Sequence, residues 1–534
     1  MTAHVVALAL YAVVACATAA PLSMQVRLDP GATSQAVSGR LLVFAIPAAE
    51  AVAQAKDGKV EKVDASAFKP TQVSIAAREV VALAPGASIA VDADAIAFPA
   101  GFSQLPKGDY YLQAVLDVNH DYNYGGRGPG DVVSEPVLAR LGGKGITLSL
   151  VRTLPGSLAP SWELPADLSK EARTRATAAL ENAQPLDFAS PALSAFWGRP
   201  THLRGWVLLP PGYASQPAAR YPTVYYTHGF GGSLPRLIGD VSVIDERMRD
   251  GSMPPMIWVF LDESSPTGTH EFADSVNNGP WGHALTAELI PMLESKYRMD
   301  AKASGRFLNG HSSGGWAALW LQVSYPKLFG GSWPTSPDPG DFRDFTGADL
   351  YAANANVYRL PDGSPMPLVR DKGKVIATFE QFARLERVLG EYGGQLASFD
   401  WVFSPRGADG RPMPMFDRDT GAVDPAVAAY WRQHYDISDR LKRQWPTLGK
   451  DLDGKLHIII GDADTFHLDG AARKLQQVLQ ALGAKPAVTL LPGRTHFDVY
   501  AIGDDRRGLF NTIAWEMYAI ARPNAQRPTG KPQP

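Results

Sequence analysis

Arg306-Phe307-Leu308-Asn309-Gly310-His311-Ser312-Ser313-Gly314-Gly315-Trp316 decides the reading of this chain. The run Arg306-Phe307-Leu308 reads as a strand. It leads into Gly310-x-Ser312-x-Gly314, and a helical pattern with Trp316, Leu319 and Trp320 follows. Strand, sharp turn and helix in that order raise the middle serine out of the backbone as a nucleophile. The turn is so tight that the residues two before and two after the serine nearly collide, so only small side chains fit at 310 and 314. Ser312 then heads a helix, whose unpaired N–H groups favour negative charge developing beside it.

The rest of the chemistry lies on either side. Upstream, the strand Tyr221 to Thr227 runs into His228-Gly229-Phe230-Gly231-Gly232. A loop of this kind supplies one oxyanion N–H and the residue after the nucleophile supplies the other, here the backbone N–H groups of Phe230 and Ser313. His228 reads as a structural, hydrogen-bonding residue. A serine hydroxyl at its ordinary pKa is a weak nucleophile and needs a base. The chain order for this architecture is serine, acid, histidine. Of the 11 histidines, His496 sits in a turn after the strand pattern Ala487 to Leu491 and is the expected base. His457 alternates within a strand, and His270 and His283 precede the elbow. The acid belongs after the strand Lys455 to Ile460, in Gly461-Asp462-Ala463-Asp464. Asp464 is the expected acid, holding the imidazole in the right tautomer. Asp462 is the runner-up and Asp469 the next candidate. Asp462, Asp464 and His467 also suggest a metal, but no matching ligand cluster occurs elsewhere, so neither a metal nor a cofactor is expected.

From about residue 200 strands alternate with helices. Tyr221 to Thr227, Met256 to Leu261, Gly305 to Asn309 and Leu456 to Ile460 are the expected strands; Ala284 to Arg298 and Gly314 to Ser324 are the expected helices. This pattern predicts a mostly parallel sheet covered on both faces. Leu285, Leu289, Leu293 and Tyr297 form an apolar stripe on the first helix, which Pro291 should kink. Residues 336–450, rich in Pro, Gly, Asp and Trp, interrupt the rhythm as a lid-like insertion. The fold class is therefore α/β: an α/β-hydrolase domain over residues 196–525. Residues 21–155 precede it, with β-rich runs such as Gln25 to Leu28, Gly39 to Phe44 and Tyr110 to Val115 between turn clusters. They predict a small all-β sandwich, joined by a connector over 156–195. Within it Asp117, Asn119, Asp121 and Asn123 alternate like the first half of a calcium loop. Gly128 stands where the closing acid belongs, and a polar turn is the preferred reading.

With 534 residues, the chain has room for two or more domains. A net charge of −3 gives no electrostatic basis for binding nucleic acid or an anionic membrane surface. The apolar run Val5 to Ala15, followed by small residues from Ala17 to Ala20, predicts an export signal over 1–20, too short to span a bilayer. No other stretch is long and apolar enough for a membrane helix. The expected location is periplasmic or extracellular. Cys16, the only cysteine, lies in that segment, and Val13-Val14-Ala15-Cys16 offers a lipoprotein anchor as the alternative. Residues 526–534 read as a disordered tail.

These residues resemble the putative esterase family that includes esterase D, enterochelin esterase and the antigen 85 mycolyltransferases. The strand with His228-Gly229-Phe230-Gly231-Gly232 carries the resemblance. So do Glu288-Leu289-Ile290-Pro291 through Lys296-Tyr297-Arg298, and Gly310 to Gly315. Order and spacing are similar over about 200–335 and 450–500. The resemblance implies a Ser312, Asp464, His496 triad, an oxyanion hole at Phe230 and Ser313, and hydrolysis of a small-molecule carboxylic ester through an acyl-enzyme. Ser313 stands where the family often has methionine, which leaves a backbone donor intact. The stretch between Ser312 and Asp464 is longer than usual for the family. The N-terminal segment, with Gly108 to Tyr111 and Asp117 to Asn119, faintly resembles bacterial Ig-like or transthyretin-like modules. The same site would also serve an acyltransferase. A catalytically inactive binding protein is the third reading, and a complete triad argues against it.

Overall fold

The computed structural model describes residues 22–142, 145–157 and 159–525. The expected export signal with Cys16 and the tail 526–534 lie outside them. Eight strands form the central sheet: β1 (Ala183–Ala189), β2 (His202–Leu208), β3 (Thr223–Thr227), β4 (Ile257–Leu261), β5 (Arg306–His311), β6 (Gly331–Thr335), β7 (Ile458–Gly461) and β8 (Val488–Leu491). Their spatial order is β1-β2-β4-β3-β5-β6-β7-β8. β2 runs antiparallel to β1 and β4, and every other neighbouring pair is parallel. That order, with its single reversed strand, is an α/β-hydrolase fold.

Every residue of β3 and β4 is buried. Such continuous apolar runs, without alternation, suit strands covered by helices on both faces. Val224, Tyr226, Trp258 and Phe260 pack under the helices Ile238–Arg249 and Gly508–Ala521. Tyr225, Val259 and Leu308 face Leu285, Leu289 and Leu293 on the other side. The expected helix over 284–298 is broken, with a π-helical stretch Ala284–Leu289 ahead of Ile290–Lys296. Pro291 lacks an N–H and its ring crowds the carbonyl four residues back, so the turn before it widens.

The segment between β6 and β7 carries a hairpin, Pro367–Asp371 with Lys374–Thr378, then the helices Phe379–Leu389, Gln395–Phe403, Pro425–His434 and Ile437–Leu452. Phe342, Phe345, Phe403 and Trp431 pack there against Trp316 and Trp320 of the helix Ser313–Ser324. Thr378 and Gln381 close a capping box at the head of Phe379–Leu389. The expected boundary at 450 falls inside Ile437–Leu452, a helix that packs on Ser313–Ser324.

Ahead of these elements, strands between Ser23 and Thr153 hydrogen-bond into one nine-stranded sheet in place of two separate ones. Strands from both ends of its order share one core, so the sheet curls on itself. Leu41, Val43 and Ala45 face that core with Met24 and Leu112. The alternate residues Leu42, Phe44 and Ile46 meet Leu385, Val388 and Leu389 of the insertion helix. Both faces of this strand are thus buried, the outer one under the catalytic half of the chain.

Polar contacts fix this joint. Arg40, 6% exposed, reaches the Val388 carbonyl from Nε and Nη2 at 3.2 and 2.8 Å, and the Arg387 carbonyl at 3.3 Å. It thereby satisfies carbonyls left open at a helix C-terminus. The Asp117–Asn123 segment is a hydrogen-bonded turn. Asp117 accepts from the N–H groups of Asp121 and Tyr122, and Asn119 donates to the Pro129 carbonyl. Asn123 Nδ2 donates to the carbonyls of Glu386 and Gly390, both at 2.9 Å. Arg40→Ala should cost about 1.5–3 kcal/mol, because charge-assisted bonds are lost and buried carbonyls are stranded. Thermal unfolding followed by circular dichroism should show a lower midpoint; an unchanged midpoint would mean that water satisfies those carbonyls.

Candidate active site

The C-terminal ends of six adjacent strands deliver one site residue each: His228 after β3, Glu263 after β4, Ser312 after β5, Asp338 after β6, Asp464 after β7 and His496 after β8. Ligands of open α/β sheets bind at this edge. Ser312 sits at φ 59°, ψ −123° at the head of its helix. A backbone of this kind costs of order 1–3 kcal/mol and persists only when its surroundings impose it. A Cβ on Gly310 would overlap the Gly314 carbonyl, and one on Gly314 would overlap the carbonyl oxygens of Thr227 and His228. The turn at Ser312 is therefore closed on the Thr227–His228 backbone as well as on itself. The Ser312 N–H is tied to the Thr335 carbonyl at 3.0 Å.

His496 is 3% exposed, and its Nδ1 lies 2.9 Å from Asp464 Oδ2. The other carboxylate oxygen of Asp464 accepts from the N–H groups of Phe466 at 2.9 Å and Leu468 at 3.3 Å. Burial alone would raise the pKa of Asp464, but the His496 ring and these N–H groups outweigh it and hold it below the ordinary value. Asp462 instead accepts from the Gly493 N–H at 2.7 Å, and Asp469 pairs with Arg370 at 2.7 Å. His457 stacks on Trp333 and His270 on Trp281. An acceptor at Nδ1 puts the proton there and leaves His496 Nε2 as the basic nitrogen. Ser312, His496, Gly229 and Phe230 line one cavity of about 770 Å³. A second cavity, about 590 Å³ and lined by Trp197, Trp281 and Trp401, holds none of the expected site residues.

The His228–Gly232 loop lies hard against Ser312: a Cβ on Gly229 would come within 2.9 Å of Ser312 Cβ. His228 braces it from inside, with Nδ1 2.8 Å from the Gly229 carbonyl and Nε2 2.9 Å from Asp262 Oδ1. These two partners are acceptors, and the Glu263 N–H approaches the same Nε2 at 3.1 Å. Burial pulls the His228 pKa down, but Asp262 outweighs it and lifts the value to about 9. Among the described residues neither the Phe230 N–H nor the Ser313 N–H has an acceptor. Ser313 follows Ser312 directly, and Phe230 follows the glycine that abuts it.

Residues 197–338, from ahead of β2 to Asp338, match the family model described as Putative esterase. The chain is accordingly a hydrolase of the carboxylic ester class. Solved structures similar to it include a ferulic acid esterase, at 14% identity over 64% of this chain and 97% of that one, TM-score 0.39. A fluorophosphonate-binding serine hydrolase of Staphylococcus aureus is 12% identical over 63% and 97%, TM-score 0.37. An S-formylglutathione hydrolase from Agrobacterium tumefaciens is 15% identical over 63% and 95%, TM-score 0.36. A search of curated proteins finds no match.

The esterase also holds acids that no sequence motif marks out. Glu263, Glu271 and Asp338 are buried near Ser312 and Ser313. Glu263 Oε1 accepts from the Ser313 hydroxyl at 2.5 Å, and the Asp338 N–H donates to the Ser312 carbonyl at 3.2 Å. Neither carboxyl oxygen of Glu271 has a hydrogen-bond partner among the described residues. Burial raises all three pKa values; for Glu263 it outweighs His228 and Ser313 and carries the value to about 8. Burial likewise keeps His311 neutral beside His496, whose ring centre is 4.5 Å away.

These shifts set a direction for stability. The folded pKa of His228 lies above its ordinary 6.5, so the stability it contributes is complete below that pH and is lost as pH rises through about 9. Unfolded Glu263 releases its proton from its ordinary 4.5 upward, while the fold retains it to about 8, so stability falls in the same direction. The midpoint of thermal unfolding should therefore drop between about pH 6 and pH 9. Glu263→Gln, which keeps the acceptor and removes the titration, should flatten that drop; an equally steep profile in the variant would clear Glu263 of the effect.

Proposed function

We propose that the esterase hydrolyses its ester through an acyl-enzyme on Ser312, with His496 as base and acid, Asp464 as its orienting carboxylate, and the Phe230 and Ser313 N–H groups as the oxyanion hole. The observation that carries this reading is that His496, paired with buried Asp464 at 2.9 Å, lines the same cavity as the strained Ser312.

Ser312 Oγ attacks the ester carbonyl carbon while His496 Nε2 takes the hydroxyl proton. The carbonyl π electrons move to oxygen, where the two N–H donors meet the developing charge. Collapse of the tetrahedral adduct breaks the bond to the alcohol oxygen, which leaves with the proton from His496. Water then attacks the acyl carbon with His496 as base, and a second collapse frees the carboxylic acid and restores Ser312. Asp464 holds the tautomer and stabilises the imidazolium of each step. Neutral His311 opposes that charge less than a second imidazolium would.

Ser312→Ala should fold normally and lose turnover of 4-nitrophenyl acetate by on the order of 10⁴ to 10⁶. Undiminished turnover would refute the nucleophile. The two candidate acids separate in a paired comparison. Asp464→Asn favours the wrong tautomer and should lower kcat by roughly 10³ to 10⁴, whereas Asp462→Asn, whose carboxylate serves the Gly493 N–H, should keep most of it. A dead Asp462→Asn enzyme beside an active Asp464→Asn one would reverse the assignment.

A further inference from the structure

The cavity that holds Ser312 and His496 is not built by the catalytic domain alone. Phe68 and Tyr124, both from the N-terminal β segment, line it beside Phe230, Phe466 and Phe497. The Tyr124 hydroxyl donates to the Gly232 carbonyl at 2.7 Å, and its ring meets that of Phe230 edge-on with centres 5.0 Å apart. Gly232 closes the loop whose Phe230 N–H lacks an acceptor; the Gly232 N–H turns back to the Gly229 carbonyl at 3.0 Å. His228 fixes this loop from the sheet side and Tyr124 fixes it from the other. The neighbour of Tyr124, Asn123, is itself pinned by two bonds to the end of the insertion helix.

Phe68 lines the cavity beside His496's aromatic neighbours. Its ring is edge-on to Phe497 at 5.7 Å and 6.1 Å from Phe466, and both of those rings touch His496. Phe68 is 44% exposed and Phe497 65% exposed. Exposed aromatic rings at the mouth of a cavity are a ready surface for an apolar or flat ligand group.

We propose that the N-terminal sheet is a working part of the active site. Tyr124 is a positioning residue for the oxyanion loop, and Phe68 is a specificity residue that, with Phe466 and Phe497, grips an aryl or comparably flat apolar group of the ester. The proposal rests on the serine-esterase reading given above. Tyr124→Phe removes one hydrogen bond and keeps the ring, so kcat for 4-nitrophenyl acetate should fall about three- to tenfold with KM little changed. The rate of phosphonylation by a fluorophosphonate probe should fall in parallel, and the thermal midpoint should stay near that of the parent. Phe68→Ala should lower kcat/KM about three- to tenfold for at least one of phenyl acetate and ethyl benzoate, and less than twofold for ethyl acetate. Phe68→Leu should restore part of the loss. Ser312→Ala in the same assays keeps the two readings apart. If it is active, the serine-esterase reading fails. If it is dead while Tyr124→Phe and Phe68→Ala match the parent on every substrate, the proposal fails and the reading beneath it stands. A uniform loss across aryl and alkyl esters with a lowered midpoint also overturns the proposal, since a merely structural joint would behave that way.

Discussion

Everything in this site depends on one close approach. The carbonyl oxygens of Thr227 and His228 lie where a side chain on Gly314 would have to go, and the Gly314 carbonyl lies where a side chain on Gly310 would go. Absence of two Cβ atoms lets β3 and β5 bring their C-terminal turns into contact. That contact puts the His228–Gly232 loop against Ser312 and holds the serine at a backbone conformation it would not otherwise keep. The strain is local; the tightly covered sheet and the aromatic core under Trp316 sustain it.

Around this contact the esterase buries more ionisable groups than a triad requires. Asp262 and His228 form a charged pair behind the loop, while Glu263, Glu271 and Asp338 stay protonated well above the ordinary carboxylate range because burial disfavours their charge. Asp464 behaves oppositely, since His496 and two N–H groups reward its charge. Carboxyl groups of one chemistry thus take two states within one site, according to what each oxygen touches. The ionised ones are those that face a histidine, Asp464 beside His496 and Asp262 beside His228.

The sequence made the catalytic half legible for reasons that are themselves local. A strand, a glycine-flanked serine and a helix are contiguous, and each strand that matters ends in a short loop bearing its residue. The Asp464 and His496 positions followed from the order of strands, and their mutual contact agrees with it. Long-range placements were not legible. Tyr124 and Phe68 sit in a segment read as a separate β module, and only the docking of its outer face on Phe379–Leu389 brings them to the cavity. Two stacked sheets were expected there because short strands and turns do not record how edges join; the strands form one curled sheet. Glu263 and Asp338 also followed strands, but an acid after a strand carries no mark of its burial.

The central claim is that Ser312 alone is the activated nucleophile. Its most direct test is to react the full-length protein with a fluorophosphonate, record the intact mass, and map the adduct by tandem mass spectrometry of the peptides. One adduct per chain, on Ser312, with none on Ser313 or elsewhere, is the predicted result. An adduct on another residue, or none under conditions where the protein turns over an ester, would contradict the account.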